Sequence, residues 1–162
     1  MTTPTAFSHA RRAFLRGKTS EPAALRPPWA LSETEFIEKC TRCGDCVSAC
    51  PQHVLINLDG GYPAFDPQRG ECTFCGECVT ACSAKALLQT QDQKPWHTTA
   101  VISSACLAQN GVTCLSCRDA CGETAIQFQI AKGGVIPALN ADRCNGCGAC
   151  VSVCPVNAIS LT

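Results

Sequence analysis

The chain has 162 residues, room for one domain or two small ones, and its 13 basic and 13 acidic side chains cancel. No apolar run approaches the roughly 18 residues of a membrane-spanning helix, so no span is predicted, and no nucleic-acid partner is expected. Cysteine is the outlier, with sixteen residues.

Residues 1–31 hold four of the ten prolines and no sustained apolar period. They read as a mostly disordered arm with a helical turn around Ala10–Leu15. Arg11, Arg12, Arg16, Lys18 and Arg26 stand against Glu21 alone, so the arm is basic, whereas the remainder carries 8 basic and 12 acidic side chains. Arg11 to Arg16 resembles a twin-arginine export box, but the stretch after it is polar and broken by proline, so no export signal is predicted. A helix is predicted from Ser32. Ser32 and Glu35 have the spacing of a capping box, and Phe36 and Ile37 supply an apolar side.

The helix leads into a run of cysteines at 40, 43, 46 and 50, closed by Pro51. Val54–Leu58, a turn at Asp59–Gly61 and Tyr62–Phe65 read as a hairpin. A second run follows at Cys72, Cys75, Cys78 and Cys82, and Ala84–Gln89 reads as a closing strand. Residues 91–97 are polar and contain Pro95, which places a boundary there, with modules at 32–93 and 94–162. The second half repeats the first. Cys106, Cys114, Cys117 and Cys121 precede a hairpin of Ala125–Ile130 and Val135–Leu139, which even has a proline in its returning strand. The run Cys144, Cys147, Cys150, Cys154 and a closing strand at Val156–Leu161 complete it. Cys50 to Cys82 spans 32 positions and Cys121 to Cys154 spans 33, which points to duplication of a two-run unit.

Three thiols at intervals of three, with a fourth after three more residues, is the ligand spacing of bacterial [4Fe–4S] sites. Disulfide scaffolds space their cysteines irregularly, and zinc sites take two separated Cys-x2-Cys pairs. Neither matches a third cysteine at the same interval, present in three of the four runs, so four [4Fe–4S] clusters are expected. Such a loop aims backbone N–H groups at the sulfurs, and Gly44, Gly76, Gly146 and Gly148 suit so tight a wrap. The fourth cysteine of each run is assigned to the other cluster of its module. Cluster one then takes Cys40, Cys43, Cys46 and Cys82, and cluster two takes Cys72, Cys75, Cys78 and Cys50. Cluster three takes Cys106, Cys114, Cys117 and Cys154, and cluster four Cys144, Cys147, Cys150 and Cys121. The alternative is that each run closes on itself. Ile56, Phe65, Val79, Ile126, Phe128 and Val151 are predicted to line the cavities. A module of this size has a marginal apolar core, so loss of cluster should mean loss of fold.

The third run departs from the spacing: seven residues separate Cys106 from Cys114, and Gly111 stands where the first ligand is usually found. Leu107–Thr113 must bulge for Cys106 to reach back. The insertion is either a loop without consequence or the mark of a site that is more exposed, labile or exchangeable. His9, His53 and His97 are scattered and read as surface residues. Trp29 and Trp96 read as packing residues, with docking as the alternative. No nucleophile–base pair, phosphate loop or dinucleotide motif appears, so no enzymatic activity is expected.

Over nearly all of residues 36–162 the chain resembles bacterial 2[4Fe–4S] ferredoxins. That implies an α+β fold of two tandem modules, with short helices and small antiparallel hairpins around the clusters. The arginine-bearing N-terminus, the four runs, the stretched third run and the end just after the last run resemble the NapF family, the ferredoxin-type proteins of periplasmic nitrate reductase operons. This resemblance implies a cytoplasmic accessory protein. Its partner would be the molybdenum-containing catalytic subunit of the periplasmic nitrate reductase, met before export, and it would assist loading of that subunit's own cluster. The alternative is a soluble electron carrier serving a reductase or dehydrogenase.

Overall fold

The computed structural model describes residues 24–90, 94–131 and 134–162. The twin-arginine-like stretch, the helical turn at Ala10–Leu15 and His9 lie outside the described residues. Within them, short helices and two-stranded antiparallel sheets alternate with the cysteine runs, twice over.

In the first module β1 (Leu55–Asn57) pairs with β2 (Pro63–Phe65), in the register Leu55↔Phe65 and Asn57↔Pro63. Val54, Leu55, Ala64 and Phe65 are buried. Leu55 faces inward and the next residue, Ile56, is only half-buried, so the predicted lining is one position off: side chains of a strand alternate between faces. Phe36, fully buried at 0% exposure, projects from the helix Glu33–Lys39 into the same core. The predicted capping box is not made: its two residues bond each other instead of the backbone. The Ser32 hydroxyl donates to the Glu35 carboxylate at 2.6 Å, and no side chain caps the helix N–H groups.

The predicted arm is shorter than composition suggests. Pro27, Pro28 and Trp29 are buried, and Ala30 forms an antiparallel bridge with Leu87. Flanking bonds run from Leu31 N–H to Ala86 O (3.1 Å) and from Leu88 N–H to Trp29 O (2.9 Å), and Trp29 N–H reaches Pro95 O at 2.6 Å. The predicted closing strand is thus reduced to this bridge. Its partner is the stretch that prolines make look unstructured, because an X-Pro segment is extended and its pairing depends on residues far along the chain. Arg26, counted with the basic arm, sits over the Phe36 ring at 4.8 Å and binds both carboxylate oxygens of Glu33 at 2.6 and 2.9 Å. The hydrogen bond and charge of that guanidinium hold the Glu33 carboxyl below its ordinary value.

The second module uses the same parts at greater length. β3 (Ala100–Ile102), which sequence reading missed, pairs antiparallel with the closing strand β6 (Ile159–Leu161). The hairpin of β4 (Ile126–Ala131) and β5 (Gly134–Leu139) pairs six residues a side, and Pro137 lies opposite Phe128 as Pro63 lies opposite Asn57. Ile126 and Val151 are buried there, and Phe128 packs against them half-exposed. Trp96, in the predicted boundary segment, packs tilted against Phe65 (4.9 Å) and edge-to-face with Phe74 (5.7 Å). Its indole N–H donates to Asn145 O at 2.8 Å. Both tryptophans therefore pack within the chain.

Candidate metal centre

Three of the four runs share one backbone device. Arg42, Phe74 and Gly146, each just before the second cysteine of its run, have φ of 60°, 55° and 74°. Gly44, Gly76 and Gly148, just after it, have φ of 83°, 81° and 88°. Two left-handed residues around one cysteine curl the chain into a concave loop whose N–H groups converge, the geometry of an anion-binding nest. Each loop then enters a one-turn helix, Asp45–Ser48, Glu77–Thr80 or Ala149–Ser152, that carries the third cysteine inward. After the fourth cysteine comes a second repeated turn. The residue three positions on, His53, Lys85, Thr124 or Asn157, has φ of 50–54°, and its N–H bonds the cysteine carbonyl at 3.0–3.2 Å. His53 and His97 are exposed, and His53 has a conformational role at this turn.

The loops surround apolar cavities that are partly open. One is lined by Cys40, Cys43, Cys46 and Cys82, together with Phe36 and Leu87. Another is lined by Cys50, Cys72, Cys75 and Cys78, with Trp29, Val54 and Leu55. A third is lined by Cys121, Cys144, Cys147 and Cys150, with Ile126 and Leu139. Each draws three thiols from one run and one from its neighbour. In the third run, Cys106 and Cys114 lie close enough to raise the Cys117 thiol after burial has done so. Cys154 packs into the same core and accepts the Ala158 amide at 3.2 Å.

The thiols are held where ionising is costly. Burial pushes Cys46 and Cys72 up to about 11 and Cys78 and Cys150 up to about 12. The charges of Cys82, Cys40 and Cys43 add to the rise at Cys46. Four such thiolates in one apolar cavity require a cationic core between them. All sixteen cysteines are free of disulfides. Among the described residues no three candidate ligands converge as they would around a single ion, whereas four thiols spread over the walls of one apolar cavity suit a multi-atom core. One further group fits. Trp29, in the wall of the second cavity, has a buried indole N–H with no acceptor among the protein atoms, and a sulfur-rich core supplies one. When bound, clusters of this kind exchange single electrons at potentials set by charge, exposure and hydrogen bonds to sulfur. Amides already aimed at sulfur are those of Phe74 to Cys72 (3.4 Å), Ala125 to Cys121 (3.3 Å) and Ala158 to Cys154 (3.2 Å).

Comparisons with known proteins agree with this chemistry. A 4Fe–4S dicluster domain matches residues 39–87, and a 4Fe–4S binding domain matches residues 137–160. The ferredoxin-type protein NapF of Haemophilus influenzae is 46% identical over 93% of this chain and 92% of its own length. That of Escherichia coli K12 is 39% identical over the same shares. The chain belongs to the NapF family. A methylamine utilization ferredoxin-type protein, MauM of Methylorubrum extorquens, is 35% identical over 83% of this chain and 70% of its own. The protein is thus a ferredoxin-type, iron–sulfur protein that binds [4Fe–4S] clusters.

Neither domain match extends over the stretched third run, where this member of the NapF family departs from the shared loop. Leu115, in the place of the glycine after the second cysteine, has φ of −127°. The insertion is a compact turn. A 3-10 helix at Ala108–Asn110 ends on Gly111, at φ 79°, and the Asn110 side-chain amide donates to the carbonyls of Ser104 and Cys106, both at 2.8 Å. Residues 109–113 are exposed, but the thiols behind them are not more open than elsewhere. Cys114 is half-buried where its counterparts Cys43 and Cys75 are exposed.

Proposed function

We propose that the sixteen cysteines hold four [4Fe–4S] clusters in the crossed quartets named from their spacing, with Cys82, Cys50, Cys154 and Cys121 closing sites one to four. The make-up of the three cavities supports this, each combining three thiols of one run with one of another. The protein then acts as a non-enzymatic, cytoplasmic accessory factor that assists cluster loading of the periplasmic nitrate reductase catalytic subunit before export. The observation that carries this reading is similarity to NapF proteins over 93% of the chain. Among the described residues no helix is long and apolar enough to cross a membrane.

The test is binding. The catalytic subunit without its cluster is expected to co-purify with this protein and the mature enzyme to bind much less; equal capture of both forms would sink the proposal. A second reading, a soluble electron carrier, is favoured by the direct contact between metal loops of the two modules. It requires reduction and reoxidation by partner enzymes at catalytic rates.

A further inference from the structure

The two modules meet at their metal loops. The Cys72 N–H donates to the Cys147 carbonyl at 2.8 Å, so a residue in the wall of the second cavity is bonded directly to one in the wall of the fourth-run cavity. The fourth-run loop is shaped for this approach. A Cβ on Gly148 would stand 2.9 Å from the Phe65 ring and 3.1 Å from Pro67, and one on Gly146 would stand 2.6 Å from the Trp96 indole nitrogen and 2.5 Å from Thr98 O. Arg42 and Phe74 fill the position equivalent to Gly146 in the first two runs at the same left-handed φ. What glycine adds in the fourth run is therefore space for the first module and the linker.

Inside each module the two sites are also neighbours. The one-turn helices Asp45–Ser48 and Glu77–Thr80 pack together, as do Ser116–Asp119 and Ala149–Ser152. The contacts thus link first run to second, second to fourth, and fourth to third.

We propose that the four cluster sites stand in single file in that order, with the Cys72–Cys147 contact as the joint across which an electron passes between modules. The inference rests on the crossed quartets proposed above. A low-potential one-electron donor, dithionite in vitro, reduces one site. Each later step reduces the next site by one electron as it oxidises the last, and no bond forms or breaks. The sites of the Cys40 and Cys106 runs are then the two ends, and the stretched run is a terminus of the file.

The experiment is electron paramagnetic resonance on the anaerobic, dithionite-reduced holoprotein, with iron analysis beside it. Cys43→Ala combined with Cys114→Ala removes a ligand from each end site, which leaves about eight irons per chain in the two inner sites. Those two sites belong to different modules, and their signals are expected to be split or broadened by each other. Two sharp, independent signals at that iron content overturn the file order. An iron content that stays near sixteen per chain removes Cys43 and Cys114 from the ligand sets and overturns the quartets with them. Trp96→Asp keeps every ligand and places a carboxylate among Phe65, Phe74 and Asn145, forcing the joint open. It is expected to abolish coupling between modules at unchanged iron, and an unchanged spectrum overturns the proposal.

Discussion

The first and third runs occupy equivalent places in the two modules, yet they reach the same chemistry by different means. In the first, the helix Glu33–Lys39 delivers Phe36 to the core and ends on Cys40, and left-handed Arg42 and Gly44 curl the loop. In the third, the thiol comes early, at Cys106. The short Ala108–Asn110 turn replaces most of the helix, and Leu115 keeps an ordinary negative φ. A ligand loop can thus be closed by backbone curl or by a side-chain clamp, here Asn110. The second module tolerates the second solution because a six-residue hairpin pairing and the β3–β6 sheet brace it, whereas the first module has three-residue pairings and one bridge.

Breaking a ligand on each side of this comparison should have the largest effect. Cys78→Ala is expected to lose about four irons and, with them, the hydrogen-exchange protection of the β1–β2 hairpin amides. Cys106→Ala is expected to lose the same iron while the β4–β5 hairpin amides stay protected from hydrogen exchange. Retention of full iron by Cys106→Ala would remove Cys106 from the ligand set. Next come the glycines. Gly148→Ala combines a left-handed φ with collision against Phe65 and is expected to cost about 3 kcal/mol. Gly111→Ala has nothing within 4 Å of its Cβ and is expected to cost about 1 kcal/mol. Thermal unfolding of the two holoproteins measures the difference, and equal losses would show that crowding at Gly148 is unimportant.

Asn110→Ala is expected to destabilise the third-run loop by about 1–2 kcal/mol through its two lost hydrogen bonds. Iron release to a chelator should then quicken at one site only; faster release from all sites would mean that the clamp is not local. The smallest effect is expected at Trp29. Trp29→Phe removes the unpartnered N–H beside the second cavity and should move one reduction potential to a more negative value. In redox titration, a uniform shift of all four would point to a structural cause.

The chemistry was legible because ligands that wrap one core must come at fixed intervals. Both hairpins and the proline of each returning strand could be read from the sequence. What escaped was pairing between distant segments. Pro27-Pro28-Trp29 has no period, and its partners, Ala86–Leu88 and Pro95, lie some 60 residues further on. Trp96 reads as a packing residue, but no local pattern marks its partners Phe65, Phe74 and Asn145. The insertion at Leu107–Thr113 could be seen, but its compactness depends on Asn110 bonding carbonyls that no local pattern marks.

The bridge from Ala30 to Leu87 has a consequence for how the protein is made. Synthesis proceeds from the N-terminus at about 5–20 residues per second, so Trp29 waits several seconds for Leu88 and Pro95 to appear. Cys40, Cys43 and Cys46 wait as long for Cys82, the fourth thiol of their cavity. Until Cys82 is made, the chain holds three of the four thiols that line that cavity. Iron delivered before the ribosome passes residue 88 would meet an incomplete set of thiols, which makes the timing of iron supply relative to translation part of how this chain acquires its fold.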